Sequence, residues 1–408
     1  MDPVVIKGTL LAIPAVLLLG FLLPEGRVWR LPAALIGGIA GAVALVIILP
    51  PGHLAYVVSF SVMAGIYAIL ALGLNTQWGY NGHLNFGIAG FFAVGAFTSA
   101  LFTLAMPAGL AAQYSRQAFG LEMPFLVGVA AAAIVAGVVA FLIAIPVLRL
   151  RLDFLAIATI GIAEIIRLIF QNERWLANGP QPLRGIPRPL ACLFENPACD
   201  WLPAWGHALV GPLTPREYPY FYLVVVALFA AGLYLALERV CRSPWGRVLR
   251  AVRDEEASAA MSGKNVAAVR MQSFVVGGVI MGIAGALYAH FVVTIDYSHF
   301  HALFATFLVW VMLMLGGSGN NKGAIIGGII VWGVWSGTAI LATALGPVLA
   351  FISDDLPGRA VYIRWMLVAL MLTAIVLYRP QGLFKEEKWV SRFFLTSGKA
   401  PARTHNST

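Results

Sequence analysis

Runs of about twenty residues with almost no charge recur from Leu10 to Tyr378, and each is long enough to cross a bilayer as an α-helix. This block pattern constrains the fold more than any motif does. Inside hydrocarbon every backbone N–H and C=O must find its partner within the segment, so a continuous apolar run folds as a helix. A β-barrel would show alternating apolar and polar residues in ten-residue strands, and the runs here do not alternate. Only 11% of the residues are charged, about half the share found in an ordinary soluble domain. Mean hydropathy is +0.85. The chain reads as an integral membrane protein.

Candidate spans fall at 9–23, 31–49, 54–74, 84–106, 124–148, 154–170, 218–237, 271–293, 302–316, 323–345 and 360–378. The fold class is all-α, polytopic, with about 10 or 11 transmembrane helices. The first run is short and carries Pro14. A signal peptide is the competing reading there, but no small-residue cleavage site follows and "PEGRVWR" leads straight into another apolar run. The chain divides into N-terminal transmembrane helices (1–53), a helical core (54–385) and a basic tail (386–408). Within the core, 171–217 is a long loop and 238–270 a charged one.

The net charge of +9 is unevenly placed: seven Lys or Arg residues lie between Arg239 and Arg270, and six more from Arg379 onward. Basic residues beside transmembrane ends stay cytoplasmic, which puts both regions in the cytosol and the loop 171–217 outside. Four spans lie between the two regions, an even number as this requires. The distribution points to a membrane and not to nucleic acid. Cys192 and Cys199 lie in the external loop, where a disulfide is chemically permitted. A bridge between them and two free thiols remain alternative readings.

Residues 242–256, "RSPWGRVLRAVRDEE", hold seven formal charges in fifteen positions. Ser243 is suited to N-cap a helix and Pro244 to occupy its first position. Beyond them Trp245, Val248, Leu249 and Val252 fall at i, i+3, i+4 and i+7, one apolar stripe on a short helix. Arg247, Arg250, Arg253 and Asp254 cover the rest, with Arg250 and Asp254 spaced for an i,i+4 pair. From periodicity alone two readings stand: a basic loop resting on anionic headgroups, or a docking helix with the stripe as anchor and the arginines as rim.

Polar groups inside apolar runs mark candidate pathway residues. Glu164 lies about ten residues into its span, near mid-bilayer at 1.5 Å per residue. Arg167 is one helical turn away, which makes a structural ion pair the plainer reading. The stretch "NTQWGYNGHLNFG" gathers Asn75, Gln77, Asn81, His83 and Asn85 among glycines. It is either a discontinuous helix of the kind transporters use to expose backbone to a solute, or a solvated cytosolic turn. Asn85, Gly87, Ala89 and Gly90, with Gly95, sit deeper and are the better pathway candidates. "GIAGFFAVGAF" from Gly87 resembles "GIAGALYAHF" from Gly282, as two small-residue packing faces in related halves would.

Enzyme readings find little support. No G-x-x-x-x-G-K-[ST] phosphate loop occurs; "GGSGNNKGA" and "MSGKNV" come nearest and fail the spacing. ATP, if used, is hydrolysed elsewhere, and no bound cofactor is expected. His290, Asp296, His299 and His301 cluster in sequence as the ligands of a metal-dependent membrane hydrolase would, yet no H-E-x-x-H accompanies them, and no metal site is assigned. An ion-coupled secondary transporter using Glu164 and a broken helix is the stronger rival.

"SPWGRVLRAVRDEEASAAMSGKNV" resembles the cytoplasmic loop of permease subunits of branched-chain amino acid ABC transporters, of the LivM type. "GYNGHLNFGIAGFFAVGAF", "LRLRLDFLAIATIGIAEIIRLIF", "GGVIMGIAGALYAHF", "MLMLGGSGNNKGAIIGGII" and "YRPQGLF" resemble further family segments in the same order, from about residue 65 to 385. The resemblance implies a permease half in a bacterial inner membrane, with a cytoplasmic C-terminus. Its implied partners are a homologous permease, two cytosolic ATPase subunits and a periplasmic solute-binding protein. Ser243, Pro244, Trp245, Gly246, Arg247, Val248, Arg250, Arg253 and Glu255 would then form the coupling helix that rests on an ATPase. Two departures leave the cargo open among branched-chain amino acids, amides and urea: Ile88 stands where the family commonly has histidine, and Asn178-Gly179-Pro180-Gln181-Pro182 replaces a Gly-Gly-Pro-Asn-Gly turn.

Overall fold

A computed structural model describes residues 3–22, 30–48, 51–109, 115–190, 218–352 and 362–386. All eleven apolar runs contain a helix. In chain order these are α1 (Pro3–Leu22), α2 (Arg30–Ile48), α3 (Pro51–Leu74), α4 (Ile88–Thr103), α5 (Phe125–Val147), α6 (Leu152–Asn172) and α7 (Tyr218–Arg242). Two short helices, α8 (Pro244–Asp254) and α9 (Glu256–Met261), fill the charged loop. Then come α10 (Val266–Val292), α11 (Leu308–Gly316), α12 (Asn321–Ile352) and α13 (Ile363–Tyr378). Four stretches, Gly52–Gly79, Phe125–Val147, Tyr218–Arg242 and Val266–Val292, are each long and apolar enough to cross a membrane, with shorter apolar helices beside them. The chain is an all-α, multi-pass membrane protein.

Lipid tails are as apolar as leucine, so helices in a bilayer associate through close packing of small residues. The centre of this molecule follows that rule. α10 packs against α4, α5 and α3. A Cβ on Gly95 would overlap the Gly282 carbonyl, one on Gly285 the Phe92 carbonyl, and one on Gly282 the Ala136 side chain. The two similar segments beginning at Gly87 and Gly282 therefore pack on each other, backbone to backbone. Beyond the glycines Phe92 meets the rings of Tyr288 and Phe300, with centroids 5.1 and 5.2 Å apart. α1 packs on α2 and α7, which joins the N-terminal helices to the core.

One boundary differs in a way that matters: α4 begins at Ile88, and residues 82–87 are not helical. At the opposite end of the bundle Leu183–Arg184 (β1) pairs antiparallel with Thr294–Ile295 (β2), tying the loop after α6 to the turn after α10. Cys192 and Cys199, most of the expected external loop and the tail beyond Glu386 lie outside the described residues. Cys241 is a buried free thiol at the foot of α7.

Candidate functional site

α3 does not simply end. It continues as one π-helical turn, Asn75–Gly79, and the chain then passes through Tyr80–Gly87 before α4 starts. The glycines permit this, since Gly82 takes φ +74° and a Cβ on Gly79 would collide with the Asn75 side chain. Of the two readings left open for this stretch, the solvated turn is excluded. Asn75, Thr76, Gln77 and Asn85 have no exposed surface, and Asn81 and His83 expose 3% each.

Buried amides are tolerable only when their hydrogen bonds are made. Asn75 donates to Asn321 Oδ1 at 2.9 Å and accepts from the Gly319 N–H at 2.9 Å. Asn321 donates onward to Glu238 Oε2 at 2.9 Å. Gln77 donates to the Phe274 carbonyl at 2.8 Å and accepts from Asn85 Nδ2 at 2.7 Å. Asn85 Oδ1 accepts from the Gly87 N–H at 2.7 Å, and Ser273 donates to the Thr76 carbonyl at 2.8 Å. The break is thus stitched to α7, α10 and α12. Asn81 and His83 differ: both amide atoms of Asn81 and His83 Nδ1 are buried without a hydrogen-bond partner. Burial, with the charge of Arg270 adding to it, pushes the His83 imidazole down to about 3.

α8 covers this break. The Ser243 hydroxyl accepts from the Trp245 N–H at 3.2 Å and Pro244 sits in the first turn. The apolar stripe is divided. Leu249 and Val252 are buried, at 0% and 2% exposure, while Trp245 and Val248 stay half-buried. Leu249 packs with Tyr80 and Cys241 of this same chain, Gly246 lies on the Cys241 carbonyl, and Trp245 Nε1 donates to Gln272 at 2.8 Å. The Arg250–Asp254 pair that the spacing allows does not form. Arg250 instead stacks over the Tyr80 ring, 5.3 Å away, with Nε 3.5 Å from Glu386. Asp254 pairs with Arg253 at 3.1 Å, and Arg253 also reaches Glu386 at 3.0 Å and the Gly79 carbonyl at 2.5 Å. Pro244, Arg247 and Glu255 face outward.

Asn85, Gly87 and Gly90 come together where α4 meets α6, and Ala89 is tied instead to the turn before α11. The Ala89 N–H donates to Thr306 Oγ1 at 3.2 Å, and a Cβ on Gly90 would lie 3.1 Å from Ala163 Cα. Asn85, Gly87, Thr159 and Ala163 border a cavity of only about 10 Å³, too small for any solute. This contact is shut. Glu164 lies apart from it: its carboxylate, 41% exposed, is held by Arg167 Nε at 3.0 Å to both oxygens and by Nη2 at 2.5 Å. Arg167 lies over the Tyr297 ring, 5.6 Å from its centroid.

The histidines have other occupations. His290 bonds Ser99 at 2.9 Å and the Pro187 carbonyl at 2.7 Å. Asp296 caps the 3₁₀ turn Tyr297–Phe300 and shares it with His299. Among the described residues no three His, Cys, Asp or Glu side chains are grouped to hold a metal ion. Asn321, Glu238 and Glu386 belong to the site and were not read from the sequence. Asn321 alone gave a signal, an amide pair inside the glycine turn "GGSGNNKGA".

The profile of the family described as "Branched-chain amino acid transport system / permease component" matches residues 56–379. The chain is 28% identical over 333 residues to the high-affinity branched-chain amino acid transport system permease protein LivM of Salmonella typhimurium, covering 80% of this chain and 69% of that protein. It is 28% identical to a probable branched-chain amino acid transport permease protein LivM of Methanocaldococcus jannaschii, over 79% and 91% of the two chains. It is 24% identical to the permease LivH of Escherichia coli, over 78% and 93%. No solved structure matches. A polytopic helical bundle with a broken third helix beneath a charged surface helix, matched by this profile over most of its length, belongs to the permease-component family of branched-chain amino acid transport systems.

Proposed function

We propose that the chain is the permease subunit of an ATP-driven importer for branched-chain amino acids or related small polar solutes, such as amides or urea. The observation that carries the proposal is the family match across 56–379, joined to a surface helix packed on the break between α3 and α4. The chain has no phosphate loop, so hydrolysis falls to two cytosolic ATP-binding subunits, and cargo arrives on a solute-binding protein outside. Escherichia coli has relatives of both the LivM and LivH kinds, which supports pairing with a second, unlike permease. The basic end that carries α8 faces the cytosol with the C-terminus, in a bacterial inner membrane.

In this reading the closed contacts of Gly87 with Thr159 and of Gly90 with Ala163 are the pathway in its shut state. The ATPase meets the outward face of α8, through Arg247, Glu255, Trp245 and Val248. Met261 at the end of α9, 88% exposed, extends that face. Leu249 and Val252 serve this chain's own core, so the docking anchor is narrower than the stripe suggests. The test is to purify the chain with whatever it assembles with and place the assembly in proteoliposomes. ATP-dependent uptake of labelled leucine is expected. Uptake of urea or an amide in its place would change the cargo, and uptake driven by an ion gradient without ATP would overturn the reading.

A further inference from the structure

The segment after α13 folds back onto the charged end of the bundle. The Leu383 and Phe384 N–H groups donate to the carbonyls of Leu315 and Gly316, at 2.8 and 2.9 Å, capping α11. Asn320 Nδ2 donates to the Lys385 carbonyl at 3.0 Å. These bonds fix the chain immediately before Glu386 and deliver its carboxylate to α8, between Arg250 and Arg253. The three side chains expose only 29%, 17% and 23% of their surface. An ion-pair cluster this sheltered holds its geometry better than a solvated surface pair. Arg253, gripped by Glu386 from one side, donates to the Gly79 carbonyl from the other. Its aliphatic stem lies against Gly82.

We propose that Glu386 is a positioning residue that clasps α8 to the turn between α11 and α12, so that Arg253 passes any displacement of α8 to the Gly79 carbonyl at the helix break. The inference rests on α8 being the helix that an ATPase moves. Without the clasp, Arg253 is free to leave Gly79 and α8 shifts while the break stays still. Hydrolysis then proceeds with little transport. The same slackening lets water reach Gly79 and Gly82, against which Arg253 now lies.

Glu386→Gln keeps the shape and removes the charge. In the reconstituted complex it is expected to keep its ATPase rate while solute moved per ATP falls about five-fold, the scale of one lost ion pair. Glu386→Asp, which retains the charge, should recover part of that ratio. Backbone hydrogen exchange should quicken at residues 79–87 in the Gln variant and stay unchanged in α4 and α10; quickening everywhere would mark general loosening and defeat the proposal. An unchanged ratio of uptake to hydrolysis overturns it also, whatever exchange shows. A wild-type complex that does not use ATP sinks the functional reading instead, and exchange in the purified chain still decides whether the clasp exists.

Discussion

Two sets of buried polar side chains in the break between α3 and α4 are treated in opposite ways. Asn75, Gln77 and Asn85 have their amide groups met by neighbours from α10, α12 and the loop itself. Asn81 and His83, a few residues away and almost as deeply buried, carry three unpartnered polar atoms. The first set is a fastening that fixes where α4 starts. The second is buried at a cost, because a buried polar atom without a partner forfeits its hydration and gains nothing back. The contrast teaches that a polar cluster in a membrane protein can combine a lock with a spring.

Asn85→Ala should have the largest effect. It orphans both the Gln77 carbonyl oxygen and the Gly87 N–H, and the expected loss is about 2–4 kcal/mol, read from chemical unfolding of the purified protein in detergent. A loss below about 1 kcal/mol would mean that this set is no lock.

Next in size is a pH effect through His83. Its pKa in the folded chain is depressed to about 3, whereas the unfolded imidazole titrates near 6.5. The unfolded state therefore binds the extra proton as pH falls below about 6.5, and stability is complete above that value. By pH 5 the wild type should have lost about 2 kcal/mol relative to His83→Gln. Parallel pH profiles for the two proteins would show that His83 is solvated.

A smaller change, of the opposite sign, is expected at Asn81. Asn81→Leu removes two unmet polar atoms and should leave stability unchanged or raise it by about 1 kcal/mol. A loss of more than about 2 kcal/mol would reveal an ordered water serving the amide and would erase the contrast with Asn85.

Glu164 supplies a partly exposed reference. Glu164→Gln should shift stability by less than about 1 kcal/mol, since its carboxylate is well exposed and its pair is local. Uptake by the reconstituted complex then carries the information. Lost transport with unchanged stability places Glu164 on the solute route, and normal transport reduces it to a partner for Arg167.

The helices were legible because the bilayer sets their length and demands internal hydrogen bonding, requirements that leave long apolar runs. The Ser243–Pro244 start of α8 was legible too, as capping chemistry is local. What periodicity could not show is what covers an apolar stripe: it located Leu249 and Val252 on one face, and only the packing reveals Tyr80 and Cys241 beneath Leu249. Spacing likewise allowed Arg250 to meet Asp254, but a carboxylate from far along the chain took that place. Asn85 was recognised as out of place in an apolar run. Its partner Gln77 lay eight residues away in the same cluster, yet choosing between a solute-facing amide and a satisfied one requires the fold.

The backbone contact between Gly95 and Gly282 has a kinematic meaning. With no side chain between α4 and α10 there, the two helices touch like shafts in a bearing. Sliding by one turn would bring Phe91 or Ser99 to a place where even a methyl group does not fit, so travel along the axis is blocked. The second close approach, Gly285 on the Phe92 carbonyl, holds the pair at another point along the same seam. The centre of this molecule is thereby keyed against sliding of α4 along α10.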